Sequence, residues 1–317
     1  MDAIGGYFGL ELRRGKEYHE NAIKLNSARN CFEYILRARK YQKVHIPYYT
    51  CEVILEPLEK TNVQYEFYPI NENLEPVKEY SLKSGEVFLY TNYFGLKQQY
   101  VEYLAGVYGS QLIVDNAQAF YAPRIEGIDT FYSPRKFFGV ADGGYLYTAN
   151  LLDEDFEQDY SFDRMSHLLK RIDVSAEAGY SDFRENDDSL INQSIKKMSK
   201  LTDSILSFVE YEKARENRRH NFVTLHNNLK EYNELNIQLD SNDVPMVYPF
   251  LIKNKHLKPK LTANRIYIAT YWVNVLAWRD DDSFEYQLAT DLLPLPIDQR
   301  YTNKEMEVII KLITENL

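Results

Sequence analysis

The chain has 317 residues, of which 44% are apolar, enough for a large α/β core with a smaller second domain. Its 37 basic and 47 acidic residues leave a net charge of -10, the wrong sign for following a phosphate backbone, so we expect no nucleic-acid partner. Only Cys31 and Cys51 occur and no stretch approaches the ~20 apolar residues of a membrane span, so we expect a cytoplasmic protein with no membrane partner.

Short apolar runs alternate with amphipathic segments in the first half, which is typical of a mostly parallel sheet covered by helices on both faces. Apolar residues recur with helical spacing from Ala28 to Leu36 and predict a helix there. The sequence further predicts strands at 43–46, 63–67, 87–90, 111–114, 130–132 and 145–147, and helices at 52–58 and 100–107. The predicted fold class is therefore α/β.

The second half has a different pattern. A charged, periodic stretch at 200–232 predicts one long helix that bridges two domains. We therefore expect a large α/β domain at 1–200 and a small C-terminal α+β domain at 201–317. Within the latter, strands are predicted at 246–252 and 265–268, and Thr302 with Glu305 forms a capping-box pattern before a closing helix.

Asp115 directly follows an apolar strand, so its carboxylate is expected at the carboxyl edge of the sheet, where open α/β sheets bind ligands. An aspartate there can hold a pyridine nitrogen in its protonated form and make the ring an electron sink. Taken alone, the residue is better explained as an ordinary turn or N-cap aspartate.

Lys136 lies just past another predicted strand, between Ser133 and a turn rich in glycine. A lysine reacts with an aldehyde only as the free amine, which desolvation or the nearby charge of Arg135 would favour. The alternative is a solvated surface lysine.

A third cluster, Ser27, Ala28 and Arg29, opens the first predicted helix. The N–H groups of a helix start, together with a hydroxyl and a guanidinium, favour binding of a phosphate. An ordinary N-cap explains Ser27 equally well.

The order and spacing of these segments are more specific than any one of them, since Lys136 follows Asp115 by 136 − 115 = 21 residues. Here the chain resembles the DegT/StrS-type sugar aminotransferases, which are fold-type I enzymes that use pyridoxal 5′-phosphate (PLP). The family's Asp-x-Ala-Gln-Ala segment corresponds to 115–119 and its Ser-x-x-Lys turn to 133–136. The resemblance extends from about Asn26 to the C-terminus and implies a seven-stranded, mostly parallel sheet.

The resemblance also implies roles for individual residues. Lys136 would bind PLP as a Schiff base and move the proton between the two carbons, while Asp115 would pair with the pyridine nitrogen. Gln118 would contact the hydroxyl side of the ring. The implied phosphate contacts are Ser27, Ala28, Arg29 and Ser133. The candidate for the aromatic ring that covers the cofactor is Tyr49, which lies in the segment that matches the family's Pro-x-x-Thr stretch. Some relatives carry this ring at the position of Cys51.

The implied activity is transfer of an amino group, from glutamate as the expected donor, to a keto-sugar nucleotide by a homodimer. Alternatives are a PLP enzyme with another acceptor and a noncatalytic protein of this fold that binds a sugar nucleotide or a partner. The dehydratase branch of the family has a His in place of the lysine, so Lys136 argues against it. The six histidines show no metal-binding spacing, and no metal is expected.

Two departures from the family pattern concern the site. Ala28 and Arg29 stand where the family usually has Gly-Thr, and 195–198 reads Ile-Lys-Lys-Met where an Asn-x-Arg-Met segment usually reaches the partner subunit. Asn192 is the alternative source of that contact.

Overall fold

The computed structural model describes residues 4–12 and 15–317, and over this part of the chain it contains nine strands and eleven helices. The strands are β1 (Ile23–Leu25), β2 (Lys43–Pro47), β3 (Gln64–Tyr68), β4 (Glu86–Thr91), β5 (Leu112–Asn116), β6 (Asp129–Tyr132), β7 (Gly144–Tyr147), β8 (Val247–Leu251) and β9 (Leu292–Pro296). The helices are α1 (Ala28–Arg39), α2 (Leu55–Thr61), α3 (Gln98–Tyr108), α4 (Ser166–Asp173), α5 (Tyr180–Ser189), α6 (Lys200–Leu206), α7 (Tyr211–Leu229), α8 (Leu257–Ala263), α9 (Val275–Trp278), α10 (Phe284–Asp291) and α11 (Asn303–Thr314).

The main sheet has seven strands in the order β1-β7-β6-β5-β4-β2-β3. Strands β2 to β6 run parallel to one another, whereas β7 is antiparallel to both β6 and β1. The predicted α/β class and the seven-stranded, mostly parallel sheet are confirmed. Parallel strands place their carboxyl ends at one edge, and the ends of β4, β5 and β6 consequently lie side by side.

Both faces of the sheet are covered, because successive side chains of a strand point to opposite faces. Val87 and Leu89 of β4 pack in a cluster with α1 and α2. Phe88 and Tyr90 of the same strand pack in a second cluster, which continues through α7, β8, α10 and α11. The second half of the chain thus covers one face of the sheet. The division into domains at residue 200 remains a prediction.

The single helix predicted at 200–232 is wrong. The structure has α6 and α7, separated by residues 207–210 and followed by a short turn of 3-10 helix. The last buried residue of α6 is Leu206 and the first of α7 is Tyr211, five positions later. On one straight helix these two side chains would differ by about 140° in direction, at roughly 100° per residue, so the break brings both apolar faces onto the core.

The strand predicted at 265–268 is also wrong. Arg265 has a left-handed φ of 60°, and Ile266 N–H donates to Leu261 O (2.9 Å), which ends α8; the residues that follow are irregular. The small sheet contains only β8 and β9 among the described residues. The capping box at Thr302 and Glu305 is confirmed at the start of α11. None of the described helices combines the length and the apolar character needed to cross a bilayer.

Candidate active site

A cavity of about 160 Å³ lies at the carboxyl edge of the sheet, at the ends of β4, β5 and β6 and the start of α1. It is lined by every predicted site residue except Tyr49, namely Ser27, Ala28, Arg29, Asp115, Gln118, Ser133 and Lys136. The three segments that are far apart in the sequence therefore meet in one place. Parallel strand order causes this, because it stacks the strand ends that carry them.

Asp115 lies near the end of β5, opposite Thr91 in the register with β4. Its Oδ1 accepts a hydrogen bond from Ala117 N–H (2.8 Å), which fixes the carboxylate against the turn that follows the strand. Burial raises the pKa of the Asp115 carboxyl to about 6, although the Ala117 N–H and the positive charge of Lys136 oppose the rise. At neutral pH this is a buried carboxylate that would gain from an N–H⁺ partner in the cavity.

Lys136 ends a short turn at 134–136 that follows β6 and begins at Pro134. Its side chain lines the cavity and is exposed there, while Phe137 and Phe138 are buried behind it. The neighbouring Arg135 donates to Asp187 Oδ1 (2.9 Å), and both of these side chains also line the cavity. The turn therefore presents one amine beside one neutralised guanidinium.

The glycine turn that follows Lys136 fixes the start of α1. Gly143, at φ 119°, donates its N–H to Asn26 O (2.7 Å). A Cβ on Gly144 would lie 2.5 Å from the carbonyl carbon and oxygen of Ser27 and 2.7 Å from Ala28 N. Only glycine allows this approach, so the Lys136 loop and the helix start are held as one unit.

Ser27 is the N-cap of α1: its Oγ accepts from Asn30 N–H (3.1 Å) and donates to Asn30 Oδ1 (2.6 Å). The N–H groups of Ala28 and Arg29, in the first turn, have no acceptor within the helix. Such a helix start attracts an anion. Arg29 lines the cavity, but its Nη1 is already paired, since it donates to Glu56 Oε2 (2.6 Å) and Leu190 O (2.9 Å).

Gln118 and Tyr49 differ in how they relate to the cavity. Gln118 Oε1 accepts from Phe94 N–H (2.8 Å), which orients its amide at the cavity wall. Tyr49 does not line the cavity: its ring is fully buried against Tyr93 and Trp272, with ring centroids at 5.7 and 4.9 Å. From that segment, Thr50 and Cys51 face the cavity instead.

Several lining residues were not found from the sequence. Thr91 could have been found, because it directly follows the strand predicted at 87–90, as Asp115 follows the strand predicted at 111–114. Asp187 lies in the last turn of α5, Leu190 directly follows that helix, and Met246, Tyr271 and Trp272 come from the second half of the chain. No local pattern marks these five, since only tertiary packing brings them to the sheet edge.

Three buried polar atoms of residues that line the cavity have no hydrogen-bond partner among residues 4–12 and 15–317: Arg29 Nε, Thr91 Oγ1 and Arg135 Nε. In the same described part of the chain, no group of three or more His, Cys, Asp or Glu side chains is close enough to hold a metal ion.

No protein-family model and no curated protein matches this sequence. Solved structures do match. S. venezuelae DesV, in complex with a ketimine intermediate, has a TM-score of 0.65 at 15% identity, over 93% of this chain and 84% of that one. The GDP-4-keto-6-deoxymannose-3-dehydratase ColD has a TM-score of 0.64 at 15% identity, over 92% of this chain and 88% of that one. The PLP form of the putative sugar aminotransferase Spr1654 from Streptococcus pneumoniae has a TM-score of 0.62 at 13% identity, over 93% of this chain and 88% of that one. The chain thus has the fold of the sugar aminotransferases, which confirms the resemblance at the level of fold.

Proposed function

We propose that this protein is a PLP-dependent aminotransferase that transfers an amino group, from glutamate as donor, to the keto group of a nucleotide-linked sugar. The observation that carries the proposal is the shared cavity: Lys136, the buried Asp115 and residues 27–29 at the start of α1 all line it. These three groups match the three ends of the cofactor, namely aldehyde, ring nitrogen and phosphate.

The donor set fits PLP chemically. The amine of a lysine that lines a cavity can form a Schiff base with an aldehyde. A buried carboxylate with a raised pKa is stabilised by a protonated ring nitrogen. The start of α1 at Ser27 and the hydroxyl of Ser133, which both line the cavity, suit a phosphate. The Gln118 amide, which lines the cavity, offers a further polar contact for a ring substituent.

PLP, when bound, supplies an electron-withdrawing ring that makes the carbon next to the amino nitrogen acidic. The contribution of the chain is to hold and move protons. Asp115 would hold a proton on the ring nitrogen. Lys136, as a free amine, would accept a proton from one carbon and, as an ammonium, return it to the other.

The proposal includes a cytoplasmic homodimer. Helices α4 and α5 and the segment before them expose apolar side chains, among them Phe162, Ile172 and Val174, at more than 70% of their maximal area. Exposed apolar surface of this kind is typical of a subunit interface. It adjoins the cavity through Asp187 and Leu190.

A dehydratase is the second candidate, because ColD shares the fold. The cavity of this chain is lined by Lys136 and, among the described residues, by no histidine, which favours amino transfer. A noncatalytic binder remains the alternative outside enzymes.

Borohydride reduction of protein incubated with PLP tests the proposal. We expect a yellow sample whose colour bleaches with borohydride, with the pyridoxyl group found on Lys136 by peptide mass spectrometry. Added glutamate should bleach the unreduced sample. Lys136→Ala should abolish transfer and covalent labelling, whereas Lys255→Ala, at an exposed lysine outside the cavity, should change neither. A colourless protein that takes up no PLP would support the noncatalytic binder, and a panel of keto-sugar nucleotides identifies the acceptor.

A further inference from the structure

Arg218 is the largest fully buried side chain of the described residues, with 1% of its area exposed. It lies in the middle of α7, in the second half of the chain. Burial lowers the pKa of its guanidinium to about 10, so the group is still charged at neutral pH. A buried charge is costly unless hydrogen bonds compensate it, and this one is compensated mainly by neutral oxygen atoms.

Those oxygens identify what Arg218 holds. Nη2 donates to Phe137 O (3.2 Å), Nη1 to Met246 O (3.0 Å), and Nε to Gln299 Oε1 (3.0 Å). The guanidinium also lies over the Phe137 ring, 4.5 Å from its centroid. Gln299 Nε2 donates to the same Phe137 carbonyl (2.9 Å). Two side chains of the second half thus converge on the residue that follows Lys136.

The second acceptor, Met246, connects Arg218 to another wall of the cavity. Met246 lines the cavity, and its N–H donates to Phe94 O (2.8 Å). Phe94 N–H in turn donates to Gln118 Oε1 (2.8 Å), and Gln118 also lines the cavity. A continuous set of hydrogen bonds therefore runs from the Lys136 turn through Arg218 to Gln118.

We propose that Arg218 is a positioning residue, which with Gln299 holds the backbone turn that presents Lys136 and ties it to the Met246 wall. The proposal rests on the proposed function only for the role of Lys136. The guanidinium suits this task because its planar fork serves several carbonyl oxygens at once, which a lysine ammonium on a flexible stem cannot match.

The test uses three variants and one matched control. Arg218→Met removes the guanidinium and its hydrogen bonds, whereas Arg218→Lys keeps the positive charge. Gln299→Met removes one donor to Phe137 O and leaves the buried charge of Arg218 in place. Arg219→Met is the control, because Arg219 is the next residue on α7 and its Nη1 also binds backbone oxygens, but those of Asp240 and Asp243. If Arg218→Met does not fold, Arg218→Lys and Gln299→Met still decide the question.

The first readout needs no cofactor. PLP-free protein is methylated with formaldehyde and cyanoborohydride under limiting conditions, and the rate at Lys136 is divided by that at exposed Lys255. Loosening the turn should change this ratio by about fivefold from its wild-type value in Arg218→Lys and Gln299→Met, the change expected for losing one buried hydrogen bond. Amide hydrogen exchange of the peptide covering 133–143 should accelerate in the same variants. Arg219→Met should leave both values at the wild-type level.

The second readout uses the PLP-loaded enzyme, in which kcat should fall more than KM rises, because the lysine is displaced while the substrate contacts remain. Unchanged labelling and exchange at 133–143 in folded Arg218→Lys and Gln299→Met would overturn the proposal. Failure of the proposed function would show itself differently, as absence of PLP uptake in the wild type, and the labelling and exchange results would still decide whether Arg218 positions Lys136.

Discussion

Substitution of Gly144 by alanine tests how closely the Lys136 loop and the start of α1 are joined. The added Cβ would lie 2.5 Å from two backbone atoms of Ser27, whereas ordinary contact begins at 3.4 Å. The overlap is therefore 3.4 − 2.5 = 0.9 Å. Backbone atoms on both sides must move to relieve it, so we expect Gly144→Ala to lower the free energy of unfolding by about 1–3 kcal/mol.

The same displacement should affect PLP, because Ser27 and the adjacent N–H groups form the proposed phosphate site. A shift of about 1 Å in a positioning group commonly lowers activity by about 100-fold. Gly106→Ala is the matched control: Gly106 is an exposed residue of α3, and its Cβ would have no neighbour within 4 Å. The free energy of unfolding of that variant should rise by about 0.5–1 kcal/mol, because alanine lowers the entropy of the unfolded chain and has a higher helix propensity than glycine.

Urea unfolding curves of the two variants and the wild type measure the stability changes, and titration with PLP measures the effect on the site. Equal stability of Gly144→Ala and the wild type would refute the argument, as would a loss of stability in Gly106→Ala. A Gly144→Ala protein of lowered stability with unchanged PLP affinity would separate the packing at Ser27 from the phosphate site.

Three further substitutions test single side chains. Burial raises the pKa of Asp115 to about 6, so the folded protein binds more protons than the unfolded chain between about pH 4 and 6, and the contribution of Asp115 to stability falls as the pH rises through that window. As the pH rises from 4 to 7, the free energy of unfolding of Asp115→Asn should therefore increase relative to that of the wild type by on the order of 3 kcal/mol, measured by urea titration. If the difference between the two proteins were the same at both pH values, the raised pKa would be contradicted. Tyr49→Phe removes a buried hydroxyl that has no partner among the described residues, so its thermal midpoint should equal or exceed that of the wild type and PLP binding should persist. Ser27→Ala removes the N-cap bond of α1 and should cost about 1 kcal/mol of unfolding free energy together with PLP affinity, whereas unchanged values of both would argue against the helix start as the phosphate site.

Much of the sheet was predictable because its strands are short runs separated by amphipathic helices, and all but the edge strands β1 and β3 are mostly buried. Strands β2 to β7 lie within a few residues of their predicted positions. The break between α6 and α7 was not predictable from periodicity, because both pieces are helical and only the core to which they pack requires the change of face. The segment at 265–268 has strand-like residues but follows a left-handed turn at Arg265 and lies in no sheet of the described structure.

The sequence by itself determined which local groups could take part in chemistry: an aspartate after one strand, a lysine after another, and a serine that caps the first helix. Strand ends and helix N-caps depend on residues that are close together in the sequence, so the sequence alone can indicate them. Tertiary structure alone decided that Tyr49 lies behind the cavity, that Tyr271 and Trp272 face it, and that Arg218 holds the turn of Lys136. The physical reason is that packing between distant segments, and the hydrogen bonds a buried charge must find, depend on the whole core and leave no periodic pattern in any one stretch.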